Sequence, residues 1–194
     1  MVEQLPPHIK QWFFADLVYS IEYVKTFHFF CQLDKEDKQA VLKNSALQCA
    51  NVTASYFSYE HNSERIIYPD GRIKMEVTDE EQTSNIVPSL IRLNLDRKEY
   101  VLLKAVVLCN PSWENLSERA RSLITPEREK YAQSLLAYLL THRGPANGPA
   151  VFSAMMAIVD TLSHQAKRSK DFHTLMCALQ LRQKPTLLID EIFS

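Results

Sequence analysis

The stretch IEYVKTFHFFCQLDKEDKQAVLK, Ile21 to Lys43, constrains this chain more than any other. In its first half Tyr23, Val24, Phe27, Phe29, Phe30, Cys31 and Leu33 leave only Glu22, Lys25, Thr26 and His28 to meet water or a partner. A helix apolar on almost every side belongs in the middle of a protein, with neighbours on all faces. Asp34 then offers an N-cap oxygen to a new helix, and Asp37 puts negative charge in its first turn, where the dipole favours it. In that second helix Val41 and Leu42 are apolar among Lys38, Gln39 and Lys43. The spacing predicts a long central helix from about Ile9 to Gln32, opened by Pro6 and Pro7, then a sharp turn and an amphipathic restart. Lys25 and Lys43 stand at the two sides of that bend.

Helical spacing recurs along the rest of the chain. Leu47, Ala50, Ala54 and Phe57 predict a third helix from Asn44 to about Tyr59. Ile86 to Leu95 reads as a short helix. Asp96 then caps Arg97 to Leu108, with Tyr100, Leu103, Val106 and Val107 inward and Pro111 as the stop. A helix starting at Ser117 is expected to break or kink at Thr125-Pro126. His142 to Pro149, rich in Gly and Pro, is the clearest loop. Phe152, Met155, Met156, Val159 and Leu162, renewed by Leu175, Met176 and Leu179, mark a long helix that ends at Pro185. Within it Lys167 to Lys170 reads as a solvated basic face. One segment differs. Arg65 to Tyr68 and Arg72 to Met75 are β-favouring runs around Pro69-Asp70-Gly71, which predicts a short hairpin.

Composition narrows the function classes. A net charge of -1 gives no basic surface for nucleic acid. The four cysteines, Cys31, Cys49, Cys109 and Cys177, form no CxxC pair, so a structural zinc site is not expected. Each lies in an apolar helical pattern as a small hydrophobe, a usage that fits a reducing compartment. The first residues lack the basic start and apolar run of a signal peptide. The most apolar segment, Trp12 to Leu33, is interrupted by Asp16, Glu22 and Lys25, so no membrane span is expected. An enzyme would need a reactive pair. His28 and Cys31, three apart on one helix face, are the nearest thing to one, but no orienting carboxylate or oxyanion-hole glycine loop accompanies them.

The set Tyr23-Val24-Lys25, Phe30, Leu33, Asp37-Lys38 and Val41-Leu42-Lys43 resembles the signature of nuclear receptor ligand-binding domains. The family pattern runs aromatic, small, Lys, then Phe, Leu, Asp-Gln and Leu-Leu-Lys at these same offsets. The chain departs from it at Val24 for Ala, Lys38 for Gln and Val41 for the first Leu. EYVLLKAVVLCNP and EREKYAQSLLAYL look like the family's later helices, and REKYAQSLL with DEIF is similar to the orphan receptors of nematodes. The resemblance implies an all-α fold, the family's layered antiparallel helical sandwich, with one short β-hairpin.

The last residues, Leu188-Ile189, Asp190, Glu191 and Ile192-Phe193, resemble the family's mobile activation helix. A partner's amphipathic helix leaves its first N–H and last C=O groups unpaired, and a Lys and a Glu at opposite rims of a groove satisfy them. The resemblance assigns those clamp roles to Lys25 and Glu191, with Lys43 as the second basic contact and Leu188 and Ile192 as apolar supports. It implies coregulator peptides as partners, a homo- or heterodimer through the Phe152 to Leu179 helix, and a small-molecule ligand beneath. The aromatics of the first helix either line a cavity or fill it. The third helix contains no Arg, and Arg65 is the first candidate counter-ion, so a ligand would be largely neutral and apolar. No cofactor is expected, and the location implied is the nucleus, with the cytoplasm as a second place.

A complete receptor also carries an upstream zinc-containing DNA-binding domain and a helix before the signature helix. Neither is expected here, so residues 1–194 read as one N-terminally truncated ligand-binding-domain-like unit. Two non-catalytic readings stand side by side: a coregulator platform of a transcription factor, and a DNA-binding-deficient dimerisation partner that titrates full-length receptors.

Overall fold

The computed structural model describes residues 12–74 and 85–178, together with Leu188, Glu191 and Ile192, the side chains of Met176 and Cys177 excepted. Among these residues there are seven helices and no sheet: α1 (Trp12–Lys25), α2 (His28–Cys31), α3 (Lys35–Glu60), α4 (Val87–Leu93), α5 (Arg97–Leu108), α6 (Glu118–His142) and α7 (Gly144–Ala178). α3 packs against α1, α4, α5 and α7, and α6 packs against α2, α5 and α7. This is the helical sandwich that the signature implies. The expected positions at Pro6, Pro7, Leu179, Pro185, Ile189, Asp190 and Phe193 lie outside the described residues.

The helix buried on all sides is α3, not the one containing Tyr23. α3 hides Val41, Leu47, Cys49 and Val52, and also Ser45, Gln48, Asn51, Ser55 and Ser58. α1 buries only Leu17, Ser20 and Val24 and leaves Tyr19 exposed. The expected helix to Gln32 also stops early, at Lys25. Thr26 donates its hydroxyl to the Tyr23 carbonyl at 2.7 Å, and Phe27 is extended at φ -80, ψ 132. A local side-chain bond of this kind competes with the helix ladder. The aromatic run then feeds the core as anchors. Phe29 and Phe30 are buried, and Phe27 sits edge-on to Tyr23, Phe29 and Tyr131 at 5.1, 6.0 and 5.8 Å.

The second and third expected helices are one continuous α3. Asn44, at the expected junction, bonds back to the Ala40 carbonyl at 2.8 Å and keeps the helical path. Asp34 holds the N-cap position, but its carboxylate makes no cap bond and pairs with Arg119 at 3.1 Å. Asp37, expected only as a first-turn charge, is buried and accepts both the Ser117 N–H (2.8 Å) and the Ser117 hydroxyl (2.7 Å). Ser117 in turn caps α6 by accepting from the Ala120 N–H at 3.1 Å.

The Asp96 cap is present as expected. Its carboxylate accepts from Lys98 N–H and Glu99 N–H at 2.7 and 2.8 Å, and Glu99 reaches back to the Asp96 N–H at 3.0 Å. That reciprocal pattern is a capping box. The expected hairpin is not formed as strands. A single antiparallel bridge joins Ile67 to Ile73, with Lys74 N–H on the Ile66 carbonyl and Tyr68 N–H on that of Arg72, both at 2.8 Å. Asp70 staples this turn by accepting from the Trp12 indole at 2.7 Å and from the Arg72 guanidinium. Met75 lies outside the described residues.

Neither Pro126 nor Pro149 ends a helix. Pro126 sits inside α6, where Thr125 bonds the Arg121 carbonyl at 2.8 Å. The loop expected from His142 to Pro149 is mostly helix, because Gly144, at φ +81, makes the turn alone and α7 starts there. The two helices then cross closely. A Cβ at Gly148 would stand 3.1 Å from the Leu139 backbone.

Candidate functional site

α1, α3 and α7 build one small apolar surface apart from the main core. α1 presents Phe13, Leu17 and Ile21, spaced by four on one face. α3 adds Ala46, Leu47 and Ala50, and α7 adds Ala166. The three alanines keep the surface low, so another element can approach it closely. Ile192 occupies it and is 3% exposed, with Leu188 half-buried alongside. Both are helical and four apart, so they share one face.

Glu191 falls on the outer edge of that docked segment, 3.4 Å from the Lys43 ammonium. Both side chains are open to solvent, and such exposed pairs contribute only about 0–1 kcal/mol. Burying an isoleucine is worth about 1.5–3 kcal/mol. Apolar contact therefore fixes the segment, and the ion pair sets its direction.

Lys25 stands elsewhere, at the C-terminal end of α1, where the helix dipole favours a cation. It pairs with Glu22 at 2.8 Å and is half exposed. So Lys43, Leu188, Glu191 and Ile192 are brought together, and Lys25 is not in contact with them. The direct pairing of Lys43 with Glu191 was not foreseen, because it joins distant parts of the chain.

Beneath this face, among the described residues, the space between α1, α3 and the Ile67–Ile73 turn is filled. Phe13, Asp16, Asn51, Ile66, Tyr68 and Lys74 enclose a cavity of about 10 Å³. That is at the lower limit for a single water. Of the aromatics expected to line or fill a cavity, Phe13 alone belongs to this lining, and Arg65 is exposed. The polar groups here were not singled out from sequence, although Asp16 did register as a charge inside an apolar run. Burial pushes the Asp16 carboxyl up to about 6, with Lys104 opposing. Lys104 is itself half-buried on α5, its ammonium 4.5 Å from the Tyr23 ring centre, and burial lowers its pKa.

A titration consequence follows. The Asp16 pKa is raised above its ordinary 3.8, so the folded state holds the proton more tightly than the unfolded one. Stability is then greatest below about pH 4 for this group and declines as pH rises toward about 6. Asp16→Asn is expected to raise stability at pH 7 by about 1 kcal/mol, a figure discounted for the group's partial exposure, and to leave it unchanged at pH 3.5. Thermal melts at the two pH values check this; equal shifts at both would remove Asp16 as the cause.

His28 and Cys31 are both exposed, and no hydrogen bond joins them. Among the described residues no helix is long and apolar enough to cross a membrane.

The profile of the ligand-binding domain of nuclear hormone receptor matches residues 6–177. Nuclear hormone receptor family member nhr-60 of Caenorhabditis elegans is 40% identical over 184 residues, covering 94% of this chain and 41% of that protein. Family members nhr-136 and nhr-153 of the same organism are 38% and 42% identical, over 84% and 79% of this chain and 40% of each relative. The chain thus spans about two fifths of the length of these relatives.

Proposed function

The chain belongs to the nuclear hormone receptor ligand-binding domain family, and from that premise we propose that it is a coregulator-recruiting module acting in the nucleus. Members of this family are ligand-regulated transcription factors and not enzymes. The carrying observation is the docked terminal segment: Ile192 is buried on the α1–α3 surface while Glu191 faces outward beside Lys43. In this reading Lys25 and Glu191 hold opposite ends of a partner's short amphipathic helix. Lys43 holds Glu191 in place and contributes the second basic contact. A small apolar ligand would act by stabilising the docked segment; the tight packing around Asp16 requires it to sit elsewhere in the interior or to displace side chains.

The test is the affinity of a coactivator-like helical peptide, read by fluorescence polarisation. Lys25→Ala and Glu191→Ala are each expected to weaken binding by about 1–3 kcal/mol, the cost of leaving a helix end without its charged partner. Their effects should add, because they act on different ends of the peptide. If both variants bind like the unmodified chain, the clamp reading is wrong.

One observation supports a second reading, a partner that titrates full-length receptors through α7. Phe172 and Leu175 are exposed on that helix, at 37% and 54%. Concentration-dependent association in sedimentation without any peptide binding would select it.

A further inference from the structure

An open cleft of about 460 Å³ lies between α3, residues 110–115 and α7. Of its lining, coregulator docking uses Lys43 alone. Three lysines line it, Lys43 from α3 and Lys167 and Lys170 from α7. Lys170 belongs to the run that reads as a solvated face in sequence, yet it is half-buried. Burial and the neighbouring Lys43 charge lower its pKa, with Glu114 opposing. An anion entering the cleft would relieve that cost.

One neutral donor on the same walls also lacks an acceptor. Trp113 is 5% exposed, and its indole N–H is buried with no hydrogen-bond partner. Buried donors are nearly always paired, so this one calls for an acceptor. Gln48 is likewise 5% exposed, and its carbonyl accepts from the Ser163 hydroxyl at 3.4 Å.

The walls are braced. Asn44 donates to the Glu114 carbonyl at 3.3 Å, and Arg121 donates to the carbonyls of Pro111 and Trp113. Asn110 accepts from the Ser112 N–H at 3.0 Å. The wall that carries Trp113 is therefore preorganised, and little ordering of it is left for a ligand to impose. Glu114 and Asp171 share the lining. They disfavour a bare polyanion but accept hydrogen bonds from hydroxyl groups.

We propose that this cleft binds a small phosphate monoester bearing hydroxyl groups, its phosphate held by Lys170 and Lys167 with the Trp113 indole as an added donor, and its hydroxyls on Glu114 and Asp171. Lysine is a usual phosphate partner as a point charge. The volume exceeds what inorganic phosphate fills and lies within the range of small-molecule sites, about 300–1,000 Å³. A soluble metabolite and a lipid headgroup share this chemistry.

The test uses glycerol 3-phosphate as the probe. Trp12→Phe leaves Trp113 as the single indole, since the chain has 2 tryptophans. Titration is expected to give a saturable change in Trp113 emission, absent with glycerol or with sodium chloride at equal ionic strength. Lys170→Gln, a half-exposed position, should weaken the probe at least about tenfold. A parallel arm compares phosphatidylcholine vesicles with and without phosphatidic acid by co-sedimentation; binding there with no response to the soluble probe assigns the lipid source. Should Trp12→Phe fold poorly, a rise in melting temperature of the unmodified chain with glycerol 3-phosphate, lost in Lys170→Gln, gives the same answer. No saturable response to either source, or a response that Lys170→Gln leaves intact, overturns the proposal.

Discussion

Arg143→Ala is expected to lower the unfolding free energy by about 3–5 kcal/mol, the usual loss when a buried ion pair is stripped of one partner. Glu99 is 0% exposed, and its two oxygens receive two parallel bonds from the Arg143 guanidinium, each 2.7 Å. The same guanidinium donates to the Asn94 carbonyl at 2.7 Å. One side chain at the end of α6 thus satisfies the start of α5 and the end of α4. Alanine leaves a carboxylate sealed from water with only the Asp96 N–H for company. Arg143→Lys should recover only part of the loss, because an ammonium cannot fork across both oxygens. Replacing both partners, Glu99→Leu with Arg143→Met, should cost less than Arg143→Ala alone, since no charge is then stranded. Urea unfolding of the four chains checks the order. A loss below about 1 kcal/mol for Arg143→Ala would mean that water reaches Glu99, as for an ordinary surface pair.

The second large effect is functional. Ile192→Asp is expected to abolish measurable peptide binding while moving the urea midpoint little. Ile192 is buried in the small cluster with Leu17, Leu47 and Ala166, separate from the main core around Leu103, Leu135 and Met155. The substitution removes about 1.5–3 kcal/mol of apolar burial and asks a carboxylate to enter the same site. Undocking is the cheaper outcome, and it carries Glu191 away from the groove. Lys43→Ala removes the exposed ion pair with Glu191 and should reduce affinity by no more than about 1 kcal/mol through that contact. Fluorescence polarisation gives the ranking. Equal affinities for Ile192→Asp and the unmodified chain would separate peptide binding from the terminal segment altogether.

The parts of this structure that can be read from sequence are those decided locally. The Asp96-x-x-Glu99 spacing specifies its own cap, and the Pro69-Asp70-Gly71 turn specifies its own reversal, although only one bridge follows it. The signature at Tyr23 to Lys43 named the family through side-chain types at fixed offsets. What could not be read depends on partners far away in the chain. Asp37 looks like a first-turn acid until Ser117 is placed against it. Lys43 looks like a free clamp residue until Glu191 arrives. The prolines at 126 and 149 argue for breaks on propensity alone, and packing of α6 against α7 overrides them. The filled space around Asp16 likewise depends on how α1, α3 and the turn settle together.

The close crossing at Gly148 has a kinetic meaning. α6 and α7 are joined by Arg143 alone, so their contacts close a very short loop. Such contacts lose little chain entropy on forming and give fast assembly. The surface that receives Ile192 is the opposite case, since it unites α1, α3 and α7 with the far end of the chain. Its closure spans most of the chain and costs more chain entropy than the α6–α7 contacts. In the reading proposed above, a ligand or partner that prefers the docked segment would shift its occupancy by no more than its difference in affinity for the docked and undocked states.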